Sequence, residues 1–204
     1  VAWLPGWSYT ADVWGDVEAR LPGYKHLYIE DGTSYVPAEP QVLVGWSLGA
    51  MQAIALAARY PQRVRGVVVL AGTLQFCTGD RATGWPKRVV ARMRDALSGD
   101  AAGVVRQFRE QLQAATPLVR DADVADEPLL REGLAYLQDA DWRQSWADVR
   151  APHLWVHGAD DGICPPGAVP PGAALWLRAG MGHVVHEDEA FWERLKGWLD
   201  ELDQ

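Results

Sequence analysis

Residues 42–50 read VLVGWSLGA. One serine stands between two glycines, straight after a β-branched run and straight before an Ala- and Leu-rich helical stretch over 48–60. No other feature restricts the fold as much. A strand that passes directly into a helix belongs in a sheet covered by helices. The glycines have a steric reason, because side chains two residues either side of the serine would collide in so tight a turn. Ser47 could cap the helix or stand exposed as a nucleophile. The strand before it and the helix after it favour the nucleophile.

The rest of the chain fits this frame. Apolar runs at 1–4, 26–29, 41–44, 64–70, 153–156 and 175–177 read as strands. Residues 10–21 show helical spacing, with Val13, Trp14, Val17 and Leu21 on one face. The stretch 31–40 is turn-rich. Helical patterns at 86–97, 101–115 and 128–137 dominate the middle, and 190–202 is an amphipathic helix with Phe191, Leu195, Trp198, Leu199 and Leu202 inward. Strands alternate with helices at both ends around a helical insertion. That predicts an α/β fold with a mostly parallel sheet of about six strands. It is one domain, with core 1–72 and 142–204 and a helical lid over 73–141. In such sheets the chemistry sits at the carboxyl ends of the strands.

A serine hydroxyl needs a base, and the base needs an orienting acid. In a strand–turn–helix site these follow the serine in the order acid, then histidine. Strand 153–156 runs into HGADDGICP, and strand 175–177 runs into RAGMGH. The spacing from Gly158 favours Asp161 as the acid, with Asp160 the alternative. His183, after a glycine near its strand end, is favoured as the base. His186 is the rival, otherwise a surface or helix-start residue. His26 and His153 read as structural, and His157 as a packed strand-end residue that could support the acid. The oxyanion needs two backbone N–H donors. They fall to Leu48, after the serine, and to Trp7, in the Pro5-Gly6-Trp7-Ser8 loop.

Composition narrows the partners. A net charge of −8 over 204 residues argues against nucleic acid and against an electrostatic membrane surface. No apolar run reaches the roughly 18 residues of a membrane helix. Cys77 and Cys164 lie far apart with no metal-type spacing and read as reduced thiols, which places the chain in the cytoplasm. The chain starts at Val1 inside an apolar run, so whether the N-terminus is complete stays open.

These residues resemble the α/β-hydrolase superfamily, through the 45–49 elbow, the 158–165 acid loop and the Gly182-His183 base loop. Within it the chain is similar to the pimeloyl-[acyl-carrier protein] methyl ester carboxylesterases of biotin synthesis. The similarity rests on Leu4-Pro5-Gly6-Trp7-Ser8 with Val13-Trp14, Gly45-Trp46-Ser47-Leu48-Gly49, Tyr60-Pro61-Gln62-Arg63-Val64, Trp85-Pro86-Lys87 and His157-Gly158 before Asp161. It implies a serine carboxylesterase with a helical lid, an acyl-enzyme and no metal or organic cofactor. It also implies substrate contacts at Trp7, Leu48 and the 108–112 stretch. Two departures stand out. Pro5 replaces a histidine usual in the family, and 31–40 is too short for the usual helix. The family's first two strands are not seen before Val1.

The lid carries the remaining signal. Between residues 73 and 109, Arg81, Lys87, Arg88, Arg92, Arg94, Arg106 and Arg109 face three acids, Asp80, Asp95 and Asp100. This basic stretch in an acidic chain is either a solvated face or a dock for an acidic protein. The resemblance implies acyl carrier protein, docked by Arg88, Arg92, Arg106 and Arg109. Trp7, Trp46, Phe76, Trp85, Phe108 and Leu112 are candidates to line an apolar pocket for a small-molecule ester. The expected function is hydrolysis of the methyl ester of pimeloyl-acyl carrier protein. The alternatives are a broad carboxylesterase or thioesterase and a non-catalytic binding protein on the same fold.

Overall fold

The computed structural model describes residues 1–118 and 123–204. Six strands form one sheet: β1 (Ala2–Leu4), β2 (Leu27–Tyr28), β3 (Gln41–Trp46), β4 (Val64–Leu70), β5 (His153–Gly158) and β6 (Leu175–Arg178). Every pairing is parallel and the order is β2-β1-β3-β4-β5-β6. After β1 the chain goes outward to β2 and then crosses back to β3 on the other side of β1. The carboxyl ends of β1 and β3 therefore open a crevice where the winding reverses. Gly6-Trp7 and Ser47 follow those two strands.

Both sheet faces are covered, as parallel pairing demands. Alternation along the strands sorts the core into two layers. Trp3, Val44, Trp46, Val68, Leu70, Leu154 and Val156 join one layer, and Ala2, Leu4, Leu43, Val67, Val69 and Trp155 the other. Helix α2 (Leu48–Arg59) packs Ala50, Ala53, Ile54 and Ala57 on the second layer. Helix α5 (Glu189–Leu202) packs Phe191, Leu195 and Leu199 on the first, and Trp192 is buried with them.

The helix expected over 10–21 is broken. A single 3-10 turn, Ala11–Trp14, ends at Gly15, which takes a left-handed φ of 66°. Asp16 then accepts from the Ala19 N–H (3.2 Å) and caps the one-turn α1 (Val17–Arg20). The predicted inward face survives the break, with Val13, Trp14, Val17 and Leu21 all buried. In the insertion, α3 (Lys87–Leu112) joins the two expected helices across a kink at Asp100 (φ −152°, ψ 68°). Asp100 accepts from the Gly103 N–H (2.8 Å) and restarts the helix, as an N-cap does. Helix α4 (Glu127–Asp139) packs beside it. Residues 119–122 of the expected lid lie outside the described residues. Among the described residues no helix is long and apolar enough to cross a membrane. Both cysteines are buried and form no disulfide.

Candidate active site

Ser47 sits between β3 and α2 with φ 56° and ψ −114°, a conformation few non-glycine residues adopt. The two glycines explain how the turn closes. A Cβ on Gly45 would lie 2.3 Å from the Gly49 carbonyl oxygen. A Cβ on Gly49 would lie 2.1 Å from the Leu4 carbonyl oxygen. The Gly49 N–H donates to Pro5 O (3.1 Å) and the Ser47 N–H to Leu70 O (2.9 Å), so the turn is pinned to the ends of β1 and β4. The Ser47 side chain makes no capping bond to α2, which disposes of the cap reading.

Asp161 follows β5. Its Oδ1 accepts from the N–H groups of Ile163 (2.8 Å) and Cys164 (2.9 Å). His183 Nδ1 lies 3.0 Å from Oδ1 and 2.9 Å from Oδ2, with both side chains fully buried. A carboxylate only accepts, so Nδ1 carries the proton and donates. In the neutral ring with Nδ1 protonated Nε2 keeps its lone pair; the atom is buried and makes no hydrogen bond to any described residue, Ser47 Oγ included. That is the state a general base requires.

The loops are close-packed to bring these groups together. The 181–182 backbone passes directly over the end of β5, where a Cβ on Gly158 would lie 2.0 Å from Gly182 O. The Gly182 N–H donates to Thr116 Oγ1 (2.7 Å). The Trp46 indole N–H, one residue before Ser47, donates to His183 O (3.0 Å) and ties the base loop to the elbow.

The histidine and aspartate alternatives separate by position. Asp160 is exposed and contributes its backbone N–H to Met181 O (2.9 Å). His186 is neither a surface nor a helix-start residue. It is buried against Trp14 and Trp46, with ring centroids 5.1 and 4.8 Å away. His157 is fully buried, with Nε2 2.7 Å from Cys164 O and 3.4 Å from Asp161 Oδ2. The carbonyl accepts, so His157 Nε2 carries a proton that faces both oxygens. Burial lowers its pKa and keeps the ring neutral. Burial also pushes the Cys164 thiol well up, so that group is inert.

The turn after β1 is closed by the Tyr9 N–H on Gly6 O (3.2 Å), with Ser8 at φ 75°. The Trp7 and Leu48 N–H groups donate to nothing among the described residues. Leu48 opens α2, where the first N–H groups have no helical partner and attract negative charge. Helix α4 closes over the turn. The Trp7 indole donates to Leu130 O (2.8 Å), and a Cβ on Gly133 would meet the Trp7 ring at 2.7 Å.

A cavity of about 360 Å³ lies between α3, α4 and the site loops. Trp7, Phe76, Trp85, Phe108, Leu134, Leu137 and Ile163 give it an apolar lining, with Arg92, Gln107 and Gln111 as polar members. Ser47 itself is not part of this lining. Two expected lining residues are corrected. Trp46 lies in the core beside His183, ring centroids 5.7 Å apart. Leu112 is buried with Val105 in the core, because Val104, Gln107, Phe108 and Gln111 share the cavity-facing side of α3 at helical spacing. Arg88, Arg92 and Arg106 are exposed on α3. Arg109 departs from the docking expectation: it turns inward onto Ser8 and Tyr9. No group of three or more His, Cys, Asp or Glu that could hold a metal ion occurs among the described residues.

Comparison with known proteins agrees with this architecture. The chain is 28% identical to a pimeloyl-[acyl-carrier protein] methyl ester esterase of Pectobacterium carotovorum, over 79% of this chain and 76% of that protein. It is also 28% identical to the protein of the same name from Klebsiella pneumoniae, over 85% and 79% respectively. Among solved structures, an esterase from Thermogutta terrifontis superposes with a TM-score of 0.76 at 15% identity, covering 100% of this chain and 90% of that one. MenH from S. aureus superposes with a TM-score of 0.75 at 14% identity, covering 100% and 94%. The model of the alpha/beta hydrolase family matches residues 3–194. The chain belongs to the alpha/beta hydrolase family.

Proposed function

We propose that this protein is a serine carboxylic ester hydrolase. The observation that carries the reading is the buried Asp161–His183 pair, which leaves a bare Nε2 in the loop tied to the Ser47 elbow. His183 takes the Ser47 proton, and Oγ attacks the ester carbonyl carbon. The carbonyl π pair moves to oxygen, where the Trp7 and Leu48 N–H groups receive it. The oxyanion collapses, the C–O bond to the alcohol breaks, and His183 returns the proton to the leaving oxygen. Water repeats the sequence on the acyl-enzyme and frees Ser47. Asp161 holds the Nδ1–H tautomer throughout.

The substrate reading is the methyl ester of pimeloyl-acyl carrier protein. The names of the similar proteins support it, as does an apolar cavity of a size for a mid-length acyl chain. Exposed Arg88, Arg92 and Arg106 along α3 offer an acidic carrier protein a basic face on an otherwise acidic chain. The test compares turnover of the carrier-linked methyl ester with that of the free dimethyl ester, at low and high salt, beside Ser47→Ala. Salt-sensitive preference for the carrier-linked ester, weakened by Arg88→Glu with Arg106→Glu, is the expected result. Equal, salt-independent turnover of both esters would leave a broad esterase. Failure of a fluorophosphonate to label Ser47 would leave a non-catalytic binding protein.

A further inference from the structure

Among the described residues Ser8 is one of three non-glycine residues with positive φ, and another of the three is Ser47. It directly follows Trp7, whose N–H is the proposed oxyanion donor. A non-glycine residue held in this region persists only where its surroundings fix it. Pro5 and Gly6 bring no hydrogen-bonding side chain to do so. The turn is held from the insertion instead: the Ala125 N–H donates to Ser8 O (3.3 Å), and Arg109 of α3 reaches the same residue. Arg109 donates Nε to Ser8 Oγ (3.2 Å) and Nη2 to Ser8 O (2.6 Å) and Asp123 O (2.9 Å). Its guanidinium carbon lies 3.9 Å from the centre of the Tyr9 ring. Gln113, one turn further along, donates to Tyr9 Oη (3.3 Å). Tyr9 in turn packs on Trp46 (5.1 Å), the residue that holds His183 O.

We infer that Arg109 is a positioning residue for the oxyanion turn. Its planar fork fixes both the side chain and the carbonyl of Ser8, and thereby aims the Trp7 N–H at the position the oxyanion will occupy. Lysine does not reproduce this, because its three donors radiate from one nitrogen, whereas the guanidinium presents Nε and Nη2 to the two Ser8 oxygens and its planar face to Tyr9. The inserted helices are then part of the catalytic framework as well as a cover. The inference rests on reading Trp7 and Leu48 as the oxyanion donors.

An aim at the oxyanion acts only in the transition state, so it is read in kcat and not in KM. Removing an oxyanion donor costs about 10²–10³ in kcat. Arg109→Ala leaves the donor present but misdirected, so a fall of roughly 10- to 100-fold is expected with KM nearly constant. The loss is the same for a small free ester as for any carrier-linked ester. A trifluoromethyl ketone of the same acyl chain gives the second readout. Ser47 Oγ adds to its carbonyl carbon, the proton passes to His183, and the π pair becomes the bound oxyanion. Its affinity falls by the same factor as kcat. The affinity of the ester for the Ser47→Ala protein is unchanged by adding Arg109→Ala.

Three results overturn the inference: unchanged kcat, a fall in kcat with undiminished ketone affinity, or a loss confined to carrier-linked substrate, which would make Arg109 a docking residue. Arg109→Lys keeps the charge and most of the packing. It reads the same two quantities should the alanine protein not fold, with an intermediate loss expected. One comparison separates this inference from its foundation. If the unaltered protein binds the trifluoromethyl ketone no better than the plain methyl ketone, the oxyanion reading fails and this inference with it. If the preference exists and survives Arg109→Ala, this inference alone fails.

Discussion

Asp161→Asn is the substitution whose outcome the geometry constrains most tightly. Asp161 Oδ1 is fixed by two backbone donors, Ile163 N–H at 2.8 Å and Cys164 N–H at 2.9 Å. An asparagine there must keep its carbonyl oxygen at that position, because its NH₂ group would otherwise face two N–H donors. The amide nitrogen is then forced to the Oδ2 position, 2.9 Å from His183 Nδ1. There it can only donate. Keeping Nδ1–H on Oδ1 (3.0 Å) would set that proton against the amide N–H 2.9 Å away, so His183 switches tautomer, with Nδ1 accepting and Nε2 protonated, and a protonated Nε2 cannot take the serine proton. A wrong tautomer with intact geometry costs on the order of 10⁴ in kcat, or ~5.5 kcal/mol at 1.36 kcal/mol per factor of ten. Stability is much less affected, since both backbone bonds are kept. A loss of ~1.5–3 kcal/mol for a hydrogen bond to a charged group corresponds to a Tm lower by about 3–12 °C at this chain length. The assay is steady-state hydrolysis of a short-chain aryl ester, with Tm measured alongside and Asp160→Asn as comparison. A kcat within tenfold of the parent would refute the tautomer argument. So would a large loss in Asp160→Asn.

Other outcomes follow from local geometry. Ser47→Gly removes the side chain that strains the turn at φ 56°. It should raise stability by ~1–3 kcal/mol in chemical denaturation while abolishing turnover, and a lower midpoint would contradict the strain assignment. Gly49→Ala places a Cβ 2.1 Å from Leu4 O. Relief requires a shift of β1 against α2, so a loss of about 3 kcal/mol, the upper end for overpacking, is expected by the same measurement. His157 and His153 both have pKa values lowered by burial. The unfolded chain therefore binds more protons than the folded one below the ordinary histidine pKa of about 6.5, and stability should fall as the pH drops through that value. His157→Gln should flatten this acid limb, and a limb of unchanged slope would assign it to other groups.

Some of this protein is written locally in its chain. The 42–50 stretch specifies strand, turn and helix because its glycines stand where a Cβ has no room, and steric exclusion needs only neighbours a few residues away. Near-continuous apolar runs along β3, β4 and β5 announce a sheet buried on both faces. The helix break at Gly15 is masked in the sequence, because the inward spacing of Val13, Trp14, Val17 and Leu21 continues across it. Other questions are settled by residues far apart in the chain. Asp161 and not Asp160 meets a histidine because the loop carrying His183, 22 residues on, comes to lie over the end of β5. Trp46 and Leu112 have the composition of site residues, but rotation about strand and helix axes turns them into the core, and the loop before α5 folds His186 against Trp14 and Trp46. Arg109 looks the same in sequence as its neighbours Arg88 and Arg106. Only the packing of α3 against the first turn, 101 residues earlier, directs its guanidinium to Ser8. Periodicity and sterics act over single turns of chain, so the sequence by itself determined the elements and the elbow. The orientation of a side chain toward a distant partner is set by how those elements pack, and that only the tertiary structure decided.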